Sequence, residues 1–222
     1  MTPTLKRSTP NARESNVRID VDYLRAMVRK LAFPRVVNTS ANAVARQLII
    51  DEFRAMHAAA PVVAGVLQNV YVGAPETATV LLGAHYDSVP GSPGADDNAS
   101  AVAVLLAVAR ALAGHPNVIF AAFNSEEFGL AGSREFAATL PAMGLKLEAA
   151  YILEMVGYRD SRPHTQRNPL PFLQGVPTTA DFLGVVTNHD ALLDRILAAA
   201  GACAVPFVGI ALPEVMANLN AV

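Results

Sequence analysis

The 222-residue sequence has no tryptophan, one cysteine and few charges: 16% Asp, Glu, Lys and Arg, against 52% hydrophobic residues. A single cysteine excludes an internal disulfide. Cys203, flanked by Ala202 and Ala204, reads as a small core residue rather than a reactive thiol. The 17 basic and 19 acidic residues give a net charge of −2, without the basic footprint of a nucleic-acid binder. Long hydrophobic runs are also missing. The longest, Ala101–Ala109, stops at Arg110. It is about half the ~18 residues of a spanning helix and reads as a buried core helix. Met1–Asp20 is polar and lacks the apolar stretch of a secretory signal, so a cytoplasmic location without a membrane partner is expected. What is present is apolar enough to exclude disorder over most of the chain. Its length suits one sizeable domain.

Residues 1–19 read as a flexible N-terminal arm and 20–222 as the domain. Helical spacing of Val21, Leu24, Met27, Val28 and Leu31 predicts a first helix, with Asp20 or Asp22 near its cap. Thr39 or Ser40 caps a second, carrying Val44, Leu48, Phe53 and Met56 on one face. Strands are predicted over 62–72, 79–84, 118–123, 149–153, 182–187 and 205–210. Helices are predicted over 99–113, 128–140 and 188–200. The alternation implies an α/β fold of three layers, with a mixed, mostly parallel central sheet and helices on both faces.

Three successive apolar strands end in metal-competent residues. The first ends in His85-Tyr86-Asp87, the second in Asn124-Ser125-Glu126-Glu127, the third in Glu154. Gly94-Ala95-Asp96-Asp97-Asn98-Ala99-Ser100 lies between the first two, just before the buried helix. Open α/β sheets bind ligands at the carboxyl ends of their strands. Carboxylates crowded there repel one another and lose hydration, and a divalent cation offsets both costs. One neutral His with several carboxylates suits zinc. Asp87 is placed to orient His85 from behind. The adjacent Glu126 and Glu127 point in different directions, so one can bind metal while the other serves as general base.

These four blocks, with Glu126-Glu127 continuing as Phe128-Gly129-Leu130-Ala131-Gly132-Ser133 and Glu154 as Met155-Val156-Gly157-Tyr158, resemble those of metallopeptidase family twenty-eight, the co-catalytic zinc aminopeptidase family. The resemblance covers Asp20–Val222 and implies a zinc exopeptidase-like fold acting on peptides. It implies that His85, Asp97 and Glu154 hold one zinc and that Asp97 and Glu127 share a second. It further implies that Glu126 is the catalytic base and that Asp87 steadies His85. Some members carry Asp at the Glu154 position, an equivalent oxygen ligand. A larger departure is the family's final His, in a Ser-Asp-His-x-x-Phe block, which has no counterpart here. The chain ends at Leu219-Asn220-Ala221-Val222, about where that block should begin. The expectation is a domain incomplete at its C-terminus, with the second zinc site unfinished.

Plainer readings exist for each residue. His85 alone reads as a core histidine, Asp97 as a helix cap, and Glu126-Glu127 as acids favoured at a helix start. Asp96 is the better candidate for a structural cap. His57 and His115 read as surface residues and His189 as a helix start. Tyr158 and His164, at and within the loop Gly157–Pro177, are weak candidates for substrate contact. The expected activity is an aminopeptidase. A truncated or degenerate relative holding at most one zinc is the alternative. Within the family a carboxypeptidase would need cations such as Arg159, Arg162 or Arg167, and a glutaminyl cyclase usually functions outside the cell.

Overall fold

The structure, a computed structural model, describes residues 4–9, 18–57, 59–168 and 174–212. Its elements run β1 (Lys6–Arg7), α1 (Val21–Leu31), α2 (Ser40–Met56), β2 (Val62–Ala64), β3 (Asn69–Val72), β4 (Val80–His85), α3 (Ala101–Ala111) and β5 (Val118–Phe123). They continue with α4 (Ala131–Thr139), β6 (Ala149–Leu153), β7 (Leu183–Thr187), α5 (Asp190–Ala200) and β8 (Phe207–Ala211). By contacts the chain divides into a larger unit, Val17–Gly157, and a smaller one formed by Met1–Asn16 with Tyr158–Val222.

The larger unit is built on a five-stranded mixed sheet of order β2-β3-β5-β4-β6. β4 lies parallel between β5 and β6, while β3 runs antiparallel to β5 and β2 to β3. Side chains alternate across it as the pleat requires. Val70, Val72, Ala84, Phe120 and Ala122 pack on the side of α1, α2 and α3. Leu81, Ile119, Ala121 and Phe123 pack on the other side with Phe136 of α4. The three expected layers are therefore present. Gly83 is required within β4, because a Cβ there would lie 2.5 Å from the Phe123 ring.

Local chemistry explains the element ends. Asp20 caps α1, accepting the Asp22 and Tyr23 amides, and Thr39 caps α2, accepting that of Asn42. α3 is buried over most of its surface, as its composition predicts. The single strand expected over 62–72 is instead a hairpin. Gly65 and Gln68 take left-handed φ of 73° and 65°, and the Glu135 carboxylate accepts the Val66 and Leu67 amides between them. α4 starts three residues later than expected, since Gly129 and Leu130 are left-handed.

In the smaller unit β7, α5 and β8 form a parallel βαβ unit, and β1 pairs antiparallel with β8. The expected arm thus contributes a strand at Lys6–Arg7. The Lys6 ammonium meets Asp190 and Asp194 of α5 at 2.9 and 2.8 Å. The rest of that arm, except residues 4–9 and 18–19, lies outside the described residues, as does the C-terminal block from residue 213. Two readings are corrected. Cys203 is exposed, because it sits in the turn that leaves α5 rather than in the core. His57 is not a surface residue but lies half-buried, 5.6 Å from the Phe120 ring and 6.4 Å from that of Phe53. No helix among the described residues is long and apolar enough to cross a membrane.

A chain of buried amides ties the layers together. Asn42 of α2 exchanges hydrogen bonds with Asn124 at 2.9 and 3.2 Å and donates to the Arg35 carbonyl. The Asn124 amide N–H donates to Asn69 Oδ1, and Asn69 donates to the Gly132 carbonyl of α4. Asn42→Ala leaves buried partners unpaired and is expected to cost about 2 kcal/mol. Urea unfolding followed by circular dichroism measures it. A loss below about 0.5 kcal/mol, within the range of ordinary surface substitutions, would show that the chain is not needed.

Candidate metal centre

β6, β4 and β5 are parallel and level at their carboxyl ends, where Ala84 pairs with Leu153 and His85 with Phe123. This register sets His85 beside the residues that follow, Glu154 on one flank and Asn124 on the other. Asp97 comes from the turn Ala95–Ser100 that leads into α3, where the Asp97–Asn98 peptide is cis. His85 Nε2 lies 3.2 Å from Asp97 Oδ1, 3.3 Å from Glu154 Oε2 and 3.8 Å from Glu126 Oε2. One ligand atom each from His85, Asp97 and Glu154 falls within 4.8 Å of the others.

Supporting side chains fix these groups. Asp87 is fully buried, with Oδ1 3.4 Å from His85 Nδ1. Its two oxygens accept the Glu126 and Glu127 amides at 3.0 and 3.3 Å, so one carboxylate holds both the imidazole and the turn with the two glutamates. Ser125, left-handed at φ 61°, redirects the chain from β5 into that turn. Gly132 lets α4 close over it, since a Cβ there would sit 1.8 Å from the Asn124 carbonyl. Asn98 donates to Glu154 Oε2 at 2.9 Å and accepts the Met155 amide at 3.1 Å. Asp96 accepts the Gly157 amide at 2.8 Å and Ser100 Oγ that of Val156 at 3.1 Å.

The electrostatics are unbalanced. His85 is 3% exposed. Burial works to lower its pKa, but the carboxylates of Asp87 and Glu154 outweigh it and raise the value from 6.5 to about 10. Burial raises the carboxyl pKa of Asp97, Glu126 and Glu127. Glu154 adds to the effect on Asp97, and Asp97 to that on Glu127, while His85 opposes it in all three. Both His85 nitrogens, Asp97 Oδ1 and Glu127 Oε1 are buried without a hydrogen-bond partner. Unbonded buried donors and acceptors carry a desolvation cost. A cation among them removes it, and the His-plus-carboxylate set fits zinc.

The sequence-derived residues are partly gathered. His85, Asp87, Asp97, Glu126 and Glu154 come together, and Glu127 is near enough to Asp97 to feel its charge while standing outside the three-residue group. Tyr158 and His164 belong to the smaller unit. Tyr158 is 61% exposed with its hydroxyl donating to Asp160, and His164 is exposed. Arg162 is engaged with Asp160 at 3.0 Å. Sequence reasoning left Asn98, Asn124 and Arg35 without a role. Asn98 and Asn124 lie inside the quoted motifs, whereas Arg35, after Pro34, carries no local signal. Val37, Asn38, Leu67, Ser125, Phe128 and Ala131 line an open cleft of about 210 Å³.

Comparison with known proteins agrees with the geometry. The profile of peptidase family M28 matches residues 66–190. The uncharacterized protein YfbL of Escherichia coli (strain K12) is 31% identical over 201 residues, covering 82% of this chain and 61% of that protein. Aminopeptidase YwaD of Bacillus subtilis (strain 168) is 46% identical over 82 residues, 35% of this chain and 18% of that protein. The chain thus spans less than two thirds of these relatives' lengths. Among solved structures, LapA aminopeptidase of Legionella pneumophila superposes with a TM-score of 0.64 at 15% identity, covering 90% of this chain and 66% of that one. The glutaminyl cyclase of Porphyromonas gingivalis gives 0.54 at 23% identity, with coverages of 68% and 63%. Both likenesses concern the fold.

The raised pKa values fix the sign of a pH dependence. The folded, metal-free protein holds protons that the unfolded chain releases, so its stability falls as pH rises. The His85 contribution is full below 6.5 and is lost as pH passes through about 10. Metal must displace those protons, so it binds more tightly at higher pH. The chelated protein is therefore expected to melt lower at pH 9.5 than at pH 6.5, with zinc raising Tm more at pH 9.5. Thermal melts with and without chelator check this, and an equal zinc effect at both values would refute it.

Proposed function

The chain belongs to peptidase family M28, and from that premise we propose that it is a zinc-dependent exopeptidase, specifically an aminopeptidase that removes N-terminal residues from peptides. The observation that carries this reading is the convergence of His85, Asp97 and Glu154, with the Glu126 carboxylate 3.8 Å from the same imidazole nitrogen. In it His85, Asp97 and Glu154 would hold one zinc, and Asp97 and Glu127 would hold a second. Zinc held there supplies Lewis-acid polarisation of the scissile carbonyl and lowers the pKa of water toward about 7.

The chain's own groups do the rest. Glu126 takes a proton from the water whose oxygen bonds to the carbonyl carbon. It then delivers that proton to the amine nitrogen as the C–N bond breaks. Burial raises its carboxyl pKa, which suits both taking and returning a proton. Asp87 holds His85 in place and, through the two amides it accepts, aims the glutamate turn. The surplus of acids favours a protonated substrate amino group over a carboxylate. The name of the Bacillus subtilis relative supports the aminopeptidase choice.

A second reading, a peptidase-fold protein that holds one zinc without turnover, is favoured by one observation. Among the described residues a ligand trio forms once, at His85, Asp97 and Glu154. Release of an amino-acid anilide by the zinc-loaded chain separates the two. The aminopeptidase reading expects zinc-dependent release that Glu126→Gln lowers about 10²- to 10⁴-fold while zinc content stays unchanged. Zinc-loaded protein without release, carrying one ion per chain by metal analysis, would favour the second reading.

A further inference from the structure

Arg35 is the largest fully buried side chain in the larger unit, at 0% exposure, and the chemistry described so far does not use it. Its guanidinium makes five contacts, all to carbonyl oxygens. Nε donates to Tyr86 at 2.8 Å and Nη2 to Gly94 at 2.9 Å. Nη1 donates to Phe33 and Pro93, each at 3.0 Å, and to Leu31 at the end of α1. Its backbone amide donates to Ser88 Oγ at 2.9 Å, and its carbonyl accepts from Asn42. Tyr86 opens the segment that joins His85 to Asp97, Gly94 lies three residues before Asp97, and Asp87 falls between them. Gly94 allows the approach, since a Cβ there would lie 2.6 Å from Arg35 Nη2. A planar fork with five donors suits this cradle of carbonyls, whereas an ammonium brings three donors from one point. Nearby acids also feel the charge. Burial lowers the Arg35 pKa to about 10, while Asp87, Asp97 and Glu127 work to raise it, so the group stays cationic at neutral pH.

We propose that Arg35 is a positioning residue of the metal centre: its guanidinium fixes the loop between His85 and Asp97, and its charge offsets the acids gathered there. The proposal rests on the zinc reading above. Removing a partner that orients metal ligands typically costs 10- to 100-fold in metal affinity. Arg35→Lys keeps the charge but loses the fork, and Ser88→Ala removes only the hydroxyl that accepts the Arg35 amide. Thr77→Val, which removes the hydroxyl that donates to the Pro116 carbonyl ahead of β4, is the control for general destabilisation. Zinc affinity at pH 7.5 is read by competition with a chromophoric chelator, alongside Tm and hydrogen exchange of residues 86–97 in the metal-free protein. Arg35→Lys is expected to weaken zinc binding about 10- to 100-fold and to speed exchange in that loop. Ser88→Ala should do the same more weakly, and Thr77→Val should leave both unchanged even where Tm falls. Wild-type affinity in Arg35→Lys, or an equal loss in Thr77→Val, would overturn the assignment of Arg35. Should Arg35→Lys not fold, wild-type affinity and exchange in Ser88→Ala would overturn it. Wild-type protein that takes up no zinc would overturn the zinc reading itself, and this proposal with it.

Discussion

The structure depends on a costly crowding of charge. Asp87, Asp97, Glu126 and Glu154 come within 4 Å of a single imidazole that is 3% exposed. Left alone, such carboxylates repel one another and lose hydration, and burial raises the carboxyl pKa of Asp97 and Glu126. Nothing in local sequence preference would gather them. They are brought together by parallel strand pairing, and once there they form a place that a divalent cation stabilises.

Rigid polar support keeps the cluster from relaxing. Asp87 joins the imidazole to the glutamate turn, and Asn98 joins the Asp97 turn to Glu154. Arg35 and the amide chain Asn42–Asn124–Asn69 brace the same loops from below. Each is a buried polar group whose hydrogen bonds are satisfied by backbone or by another such group. Partly satisfied networks of this kind are destabilising, whereas complete ones specify a single arrangement. Among the described residues, four of the six buried side-chain atoms left without a hydrogen bond, both His85 nitrogens, Asp97 Oδ1 and Glu127 Oε1, belong to the centre; His57 Nε2 and Ser125 Oγ are the other two.

Much of this was legible in the sequence because metal ligands at strand ends leave a local trace. Apolar runs stopping at His85, Asn124 and Glu154 announced both the strands and the edge. The alternation of short apolar strands with helices and the apolar surface of α3 announced the layers. Other features had no local trace. Arg35 sits in a loop with no motif, and its role arises only when Tyr86 and Gly94, more than fifty residues on, fold around it. The hairpin within 62–72 was hidden because Gly65 and Gln68 turn a run of valines that reads as one strand. The small strand at Lys6–Arg7 depends on β8, about two hundred residues away, and Cys203 is exposed because the chain turns there after α5.

The level register of β6, β4 and β5 also divides the sheet's tolerance to change. At the carboxyl edge a slip of one residue would present Tyr86 in place of His85 and turn every side chain to the opposite face. At the other edge the same strands are entered through Gly73–Thr79, Leu112–Asn117 and Pro141–Glu148, none of which carries a residue of the centre. Changes of length there leave the spacing of His85, Asn124 and Glu154 untouched. One edge is thus geometrically strict and the other permissive at its exposed positions, so Glu76, Gly114 and Ala142, rather than the buried Ala78 and Leu145, are the natural places to graft a tag, a label or an added loop.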